Sequence, residues 1–91
     1  MKTATLVKDN IEGFRGHAAL YKLSQPLEGY EYVICSTDYA MFGLETFIFG
    51  ATKQGYVRDW GALEVYGTKR GTEDHRELLN DAGYELVIEP S

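Results

Sequence analysis

The residues that could do covalent chemistry are one cysteine and two histidines. Cys35 falls within a predicted strand, away from any helix start or cationic side chain that would lower a thiol pKa, so we interpret it as a buried structural residue. A lone cysteine excludes an internal disulfide framework and a multi-cysteine zinc site. His17 and His75 lie far apart without metal-ligand spacing. The sequence therefore predicts no metal site and no cofactor, and places His75 at the border of helix and sheet.

Acidic residues near the ends of predicted strands are the candidates for general acids and bases. Asp38, Glu45 and Asp59 occupy such positions, but no spacing selects a pair. One hypothesis is a small enzyme or ligand-binding domain whose pocket collects Tyr32, Asp38, Glu45 and His17. The sequence favours a non-catalytic protein over this alternative and names no catalytic residue.

A basic stretch, Lys69-Arg70-Gly71-Thr72, leads into a predicted helix start, where backbone N–H groups can hold an anion. Two acidic residues follow at once and already occupy the favourable end of the helix dipole, so a capping loop is the better interpretation. Anion or nucleic-acid binding would require Arg58, Lys69 and Arg70 to cluster. The net charge of −5 argues against nucleic acid and an anionic membrane as partners.

Aromatic side chains are the strongest candidates for a binding surface. The chain has seven Tyr, four Phe and one Trp, and Asp59-Trp60-Gly61 puts the largest ring in a predicted loop. We predict a protein-binding surface formed by Trp60, Tyr56, Tyr66, Tyr39 and Phe42. The competing interpretation is that Trp60 folds back to close one end of the core, with its indole N–H bonded to a backbone carbonyl.

Two runs of aromatic and β-branched residues between Gly29 and Thr52 organise the fold. They predict neighbouring antiparallel strands, joined by a loop too long for a two-residue hairpin. A strand over residues 17–23 precedes them, and we expect Pro26 to end it because proline lacks the donor that a ladder needs. Residues 1–12 form either an edge strand or an arm, and residues 89–91 form a tail.

The clearest helix has Thr72 as its N-cap and Gly83 just after its end. Its apolar stripe faces the sheet and consists of His75, Leu78, Leu79 and Ala82. A short strand is predicted over 56–58, and a last strand over 84–88. With a helix on one side of the sheet, we expect Phe47 and Phe49 to point toward it.

These elements predict one α+β domain over residues 1–91. Its sheet is small and antiparallel, with about four strands in the order β-β-β-(short β)-α-β and one C-terminal helix packed on one face. A single helix leaves the opposite face to be covered. Either the N-terminal arm and the 38–44 loop cover it or a second subunit does, so a homodimer is predicted.

Short stretches spread over residues 17–87 carry a resemblance: Leu20-Tyr-Lys-Leu23, Pro26-Leu27, Tyr30-Glu-Tyr32, Glu45-Thr46, Ile48-Phe49, Asp59-Trp60-Gly61, Asp74-His75 and Ala82-Gly83-Tyr84. In them the chain resembles small uncharacterised proteins of actinobacteria and their bacteriophages. The resemblance implies a genetic setting, the accessory gene of a phage or integrated element, and carries over no catalytic residue.

The first residues contain no apolar signal-peptide region, and no apolar run approaches the ~18 residues of a membrane span. We therefore expect a cytoplasmic protein, in the host cytoplasm if phage-encoded. The predicted function is a non-catalytic interaction module that binds a host protein or a second copy of itself, without nucleic acid or membrane as partner.

Overall fold

A computed structural model describes residues 2–14, 16–40, 43–58, 68–70 and 75–87. Within these ranges six strands form one sheet in the order β5-β4-β3-β2-β1-β6, and one helix packs on it. The elements are β1 (Lys2–Lys8), β2 (Ala18–Leu27), β3 (Tyr30–Ala40), β4 (Gly43–Ala51), β5 (Thr68–Arg70), α1 (His75–Asp81) and β6 (Tyr84–Val87).

All neighbouring strands are antiparallel except β1 and β6, which are parallel. The predicted α+β class, with one C-terminal helix packed on a small sheet, is confirmed. The sheet was expected to be antiparallel with about four strands; it is mostly antiparallel and has six described strands. The described helix is too short to cross a lipid bilayer.

The first strand lies inside the sheet. The chain returns after α1 and lays β6 beside β1, with Lys2 opposite Tyr84 and Thr5 opposite Val87. Since β2 pairs with the other side of β1, residues Lys2–Lys8 are neither an arm nor an edge. Ala4 is fully buried there, and residues 89–91 lie outside the described ranges.

The expectation that Pro26 ends β2 is wrong, because the strand continues to Leu27. The pairing with β3 jumps from Lys22↔Tyr32 to Leu27↔Tyr30, so the proline falls at an irregularity where the ladder needs no donor from it. Other groups bond to this stretch instead. Ser24 Oγ accepts from the Thr3 amide at 2.8 Å, and the Gln25 carbonyl accepts from the Tyr84 hydroxyl at 2.7 Å.

The expectation of a long loop between β3 and β4 is also wrong. Ala40 pairs with Gly43, so two residues separate the strands, and Gly43 takes a φ of 112°. The loop was expected over residues 38–44, but Asp38 pairs with Glu45 and Tyr39 with Leu44 across the two strands. In the sheet, the buried hydroxyls of Thr37 and Thr46 hydrogen-bond each other across the two strands at 2.9 Å, which offsets the cost of burying them.

The sheet carries an apolar cluster on each face. The cluster under α1 comprises Ala4, Ala19, Tyr21, Leu23, Leu27, Val33, Cys35, Ile48, Leu78, Leu79, Ala82 and Tyr84. The cluster on the opposite face is smaller: Ala18, Leu20, Ile34 and Ala51, with Ile11, Phe14, Tyr32 and Val57 packed against it. Residues that follow β1 and β4 thus contribute cover on the face without a helix.

The expectation that Phe47 and Phe49 point toward α1 is wrong. Alternation fixes only that the two rings share a face, and the cross-strand partners choose which face that is. Ile48 pairs with Cys35 and is fully buried under α1, so both rings lie on the other side. There the Phe49 ring lies 6.5 Å from Phe14 and 6.1 Å from Phe47, between ring centroids.

The apolar stripe of α1 is confirmed. Its four members, His75, Leu78, Leu79 and Ala82, are all at most 4% exposed. Gly83 follows with a φ of 93°, the left-handed conformation that closes many helices. The predicted N-cap, Thr72, lies outside the described residues.

Candidate functional site

Of the five residues predicted to form an aromatic surface, Tyr56 is the one whose side chain the structure describes, and it is 73% exposed. Tyr39 belongs to β3 rather than to a loop, and its side chain is not described. Trp60, Tyr66 and Phe42 lie outside the described residues, so their share in a binding surface stays a prediction.

Tyr56 is carried by a hydrogen-bonded turn over residues 52–56. The Thr52 amide donates to the Tyr56 carbonyl at 2.8 Å, and the Tyr56 amide donates to Thr52 Oγ1 at 3.2 Å. Gly55 supplies the positive φ of 93° that closes the turn. Beyond it, Val57 bridges Ala51, which is what remains of the short strand predicted over 56–58. The exposed ring therefore stands on a backbone fixed at both ends.

The same turn forms one side of an open cleft of about 670 Å³. The cleft lies where β3 begins and β4 ends. The described residues that line it are Pro26, Gly29, Tyr30, Glu31, Tyr32, Ala51, Thr52, Lys53, Gln54 and Arg58. We call this space the 30/58 cleft.

Two tyrosines give the 30/58 cleft its aromatic lining. Tyr30 packs against the apolar cluster under α1, whereas Tyr32 packs against the cluster on the opposite face. The Tyr30 ring lies directly on Gly50, where a Cβ would stand 2.6 Å from three ring carbons. Glycine at position 50 therefore leaves the room that the Tyr30 ring occupies.

The charged groups among the described residues of the 30/58 cleft are Lys53, Arg58 and Glu31. All three are exposed, and none forms an ion pair within the described part of the chain. The Arg58 amide donates to the Gly50 carbonyl at 2.8 Å, which fixes the backbone from which its guanidinium extends.

Arg58 does not share its position along β4 with Lys69 and Arg70. Lys69 lies opposite Thr46 and Arg70 opposite Glu45, whereas Arg58 bonds at Gly50. Four residues of strand separate Thr46 from Gly50, a distance of about 13 Å. The backbone thus spreads the three cations that an anion or nucleic-acid site would need.

The residues of the alternative enzyme pocket do not converge. Asp38 and Glu45 are cross-strand partners on the face without a helix. Tyr32 shares that face but lies six residues away along β3, about 20 Å from Asp38. His17 lies on the α1 side, where its ring stacks on His75. Of the four, Tyr32 alone lines the 30/58 cleft.

The sequence patterns missed a polar cluster at the start of α1. The His17 and His75 rings stack, with centroids 4.5 Å apart and an interplanar angle of 9°. His17 Nε2 donates to Asp9 Oδ1, and the Tyr21 hydroxyl is hydrogen-bonded to His75 Nδ1 at 2.9 Å. The bond from His17 is the largest of several influences that together hold the pKa of Asp9 below its ordinary value.

This cluster could have been anticipated only in part. Tyr21 falls on the predicted inner face of β2 and His75 begins the helix stripe, so their meeting follows from alternation and helical spacing. The approach of Asp9 depends on the path of the chain between β1 and β2, which no periodicity encodes. Because none of its four members lines the 30/58 cleft, we assign the cluster to docking α1 on the sheet.

Cys35 is buried as predicted, and this burial raises the pKa of its thiol. Among the described residues, no group of three or more His, Cys, Asp or Glu side chains could hold a metal ion. Comparisons with family models, curated proteins and solved structures find no match to this chain. The resemblance to actinobacterial and phage proteins therefore stays a prediction, and function must be argued from geometry.

Proposed function

We propose that the protein is a non-catalytic binding module that recognises another protein at the rim of the 30/58 cleft. The observation that carries the proposal is Tyr56, which is 73% exposed on a turn of which Thr52, Lys53 and Gln54 line the cleft. Tyrosine offers a large contact area with few rotatable bonds, and it is enriched among the residues that dominate binding energy. Two further tyrosines, Tyr30 and Tyr32, line the cleft.

The arrangement of ionisable groups supports binding over catalysis. A general acid or base must reach its substrate within hydrogen-bonding distance. The four residues of the enzyme hypothesis are divided between the two faces of the sheet, and the two acids stand about 20 Å from Tyr32. A single substrate in the cleft would therefore meet one of the four.

The partner in this proposal is a host protein or a second copy of the chain, met in the cytoplasm. Self-recognition would produce the homodimer that the sequence predicts. The genetic setting, an accessory gene of a phage or mobile element, rests on the resemblance alone. The overall negative charge supports a protein partner over nucleic acid.

Photo-cross-linking followed by affinity measurement tests the proposal. A photoreactive phenylalanine analogue is placed at position 56 in one strain and at the exposed helix position 77 in another. We expect a specific cross-linked product, either a second protein or a second copy, from position 56 alone. Calorimetry then measures how tightly the purified partner binds the wild type and the Tyr56→Ala and Val7→Ala variants.

We expect Tyr56→Ala to raise the dissociation constant by about tenfold or more, the scale of a hot-spot truncation. Val7 is the matched control, since it is apolar, 51% exposed and lies on β1. Its truncation should change the affinity less than about twofold. Equal effects of the two variants on the affinity would show that Tyr56 does not contribute to the interface and would contradict the proposal.

A further inference from the structure

We propose that the 30/58 cleft binds an acidic segment of the partner protein. In this proposal Arg58 and Lys53 hold a side-chain carboxylate, and Tyr30 and Tyr32 pack against the neighbouring apolar atoms. The inference rests on the proposed function and adds the chemistry of the partner.

The charge balance of the cleft supports an anionic ligand. The chain has fourteen acidic side chains against nine Lys and Arg, so acidic groups outnumber the available cations. Lys53 and Arg58 nevertheless make no ion pair with any described residue. Among the described residues of the lining, the two cations outnumber the one acidic group, Glu31, so this part of the cleft is net positive. A positive concavity on a negative protein attracts anions to that place.

Both cations extend from well-defined backbone. Lys53 belongs to the hydrogen-bonded turn over 52–56, and the Arg58 amide is bonded to Gly50. A guanidinium binds a carboxylate through two parallel N–H donors, which gives stronger and more directional bonds than a point charge. The fixed backbone lowers the entropy lost when the two side chains close on the ligand.

The shape and the tyrosines of the cleft favour a peptide. An open space of about 670 Å³ can receive a few residues of extended chain lying along the surface. Tyr30 is held against Gly50 and Tyr32 against the cluster of the helix-free face, so both rings are preformed surfaces. A nucleic-acid backbone would need more cations, and the backbone positions of Lys69 and Arg70 lie farther along β4.

An NMR titration of the full chain tests the inference. The probe is the capped peptide N-acetyl-Glu-Glu-Tyr-Glu-amide, and its matched control carries Gln in place of each Glu. We expect the acidic peptide to shift the amide signals of residues 29–32 and 51–58. The Gln peptide should bind at least about fivefold more weakly, because it lacks the charge-assisted bonds.

Three charge reversals locate the interaction. Arg58→Glu and Lys53→Glu should each weaken binding of the acidic peptide by about tenfold. Lys8→Glu, an exposed change of the same charge on β1, should weaken it less than about twofold. Thermal unfolding of each variant establishes that it is folded before the titration is interpreted.

Equal binding of the Gln peptide, or equal effects of Arg58→Glu and Lys8→Glu, would overturn the inference. Tighter binding of a thymidine octanucleotide than of the peptide would also overturn it. The cross-linked partner separates the two proposals. If Tyr56→Ala weakens binding of that partner and Arg58→Glu does not, the proposal of an acidic ligand is wrong while the proposal of a binding module stands. If neither variant weakens binding, both proposals fail.

Discussion

Gly16 is where two segments of backbone approach each other most closely among the described glycines, and replacing it with alanine gives the sharpest test of the packing. A Cβ at Gly16 would overlap the carbonyl oxygen of Thr37 and stand 2.8 Å from its carbonyl carbon. Carbon atoms pack at about 3.5 Å or more, so the carbon pair alone requires a separation of about 0.7 Å, and the deeper overlap with the oxygen requires more. The contact is with backbone, which no rotamer change can relieve.

The cost of this separation can be estimated from the neighbouring hydrogen bond. The Thr37 amide donates to the His17 carbonyl at 2.9 Å, directly beside the overlap. Losing this bond costs about 1 kcal/mol, and the steric strain adds about 1–3 kcal/mol. A total loss near 3 kcal/mol would lower the Tm of a domain of this size by about 12–24 °C.

Urea and thermal unfolding followed by circular dichroism measure the effect, with Gly13→Ala as the control. Gly13 has a φ of 97°, and a methyl group added to its Cα would meet no atom within 4 Å, so alanine there encounters left-handed strain and no clash. That strain costs about 1 kcal/mol. A Gly16→Ala protein as stable as Gly13→Ala, or more stable, would refute the close approach of Gly16 and Thr37.

Two further predictions concern α1 and the polar cluster at its start. Leu79 is fully buried, so Leu79→Ala should lower the free energy of unfolding, measured in urea, by about 3–5 kcal/mol. The control, Glu77→Ala on the exposed side of α1, should change it by less than about 0.5 kcal/mol. Similar losses in the two variants would contradict the buried stripe. Asp9 has a folded-state pKa below its ordinary value of 3.8, so its contribution to stability is present above pH 3.8 and is lost as the pH falls through the lowered pKa. As the pH is lowered, the free energy of unfolding should therefore fall more steeply for the wild type than for Asp9→Asn. Parallel curves for the two proteins would contradict the pairing of Asp9 with His17.

The helix and the class of fold were predictable because they depend on local patterns. The spacing of His75, Leu78, Leu79 and Ala82 determines a stripe whatever it packs against, and Gly83 supplies a stop. The order and pairing of strands depend on contacts distant in sequence. The parallel pair of β1 and β6 brings together the two ends of the described chain, which no local pattern indicates.

The errors in strand assignment have a common physical origin. Alternation shows that Phe47 and Phe49 share a face, but their cross-strand partners decide that Ile48 faces α1 instead. Likewise, a loop was expected over residues 38–44, whereas Asp38 pairs with Glu45 and Ala40 with Gly43 across the two strands. In both cases the neighbouring strand, absent from a local window of sequence, determined the outcome.

Three residues of the candidate site were named from the sequence: Tyr56 for the aromatic surface, Tyr32 for the enzyme hypothesis and Arg58 for the anion hypothesis. Tyr56 follows a Gly-containing turn, so its exposure could be expected from the sequence. The 30/58 cleft forms because the pairing of β3 with β4 brings the start of one strand beside the end of the other. That Lys53 and Arg58 make no ion pair with a described residue can be seen only from the positions of their neighbours in space. The Asp9–His17 contact likewise depends on the path of the chain in space.

The location of the partner on the fold is tested most directly by comparing the amide NMR spectra of the free chain and of its complex with the cross-linked protein. Binding at the rim of the 30/58 cleft predicts the largest shifts in residues 29–32 and 50–58, with little change at Asp9, His17 and His75. The largest shifts at those three residues, or at Asp38 and Glu45, would contradict it.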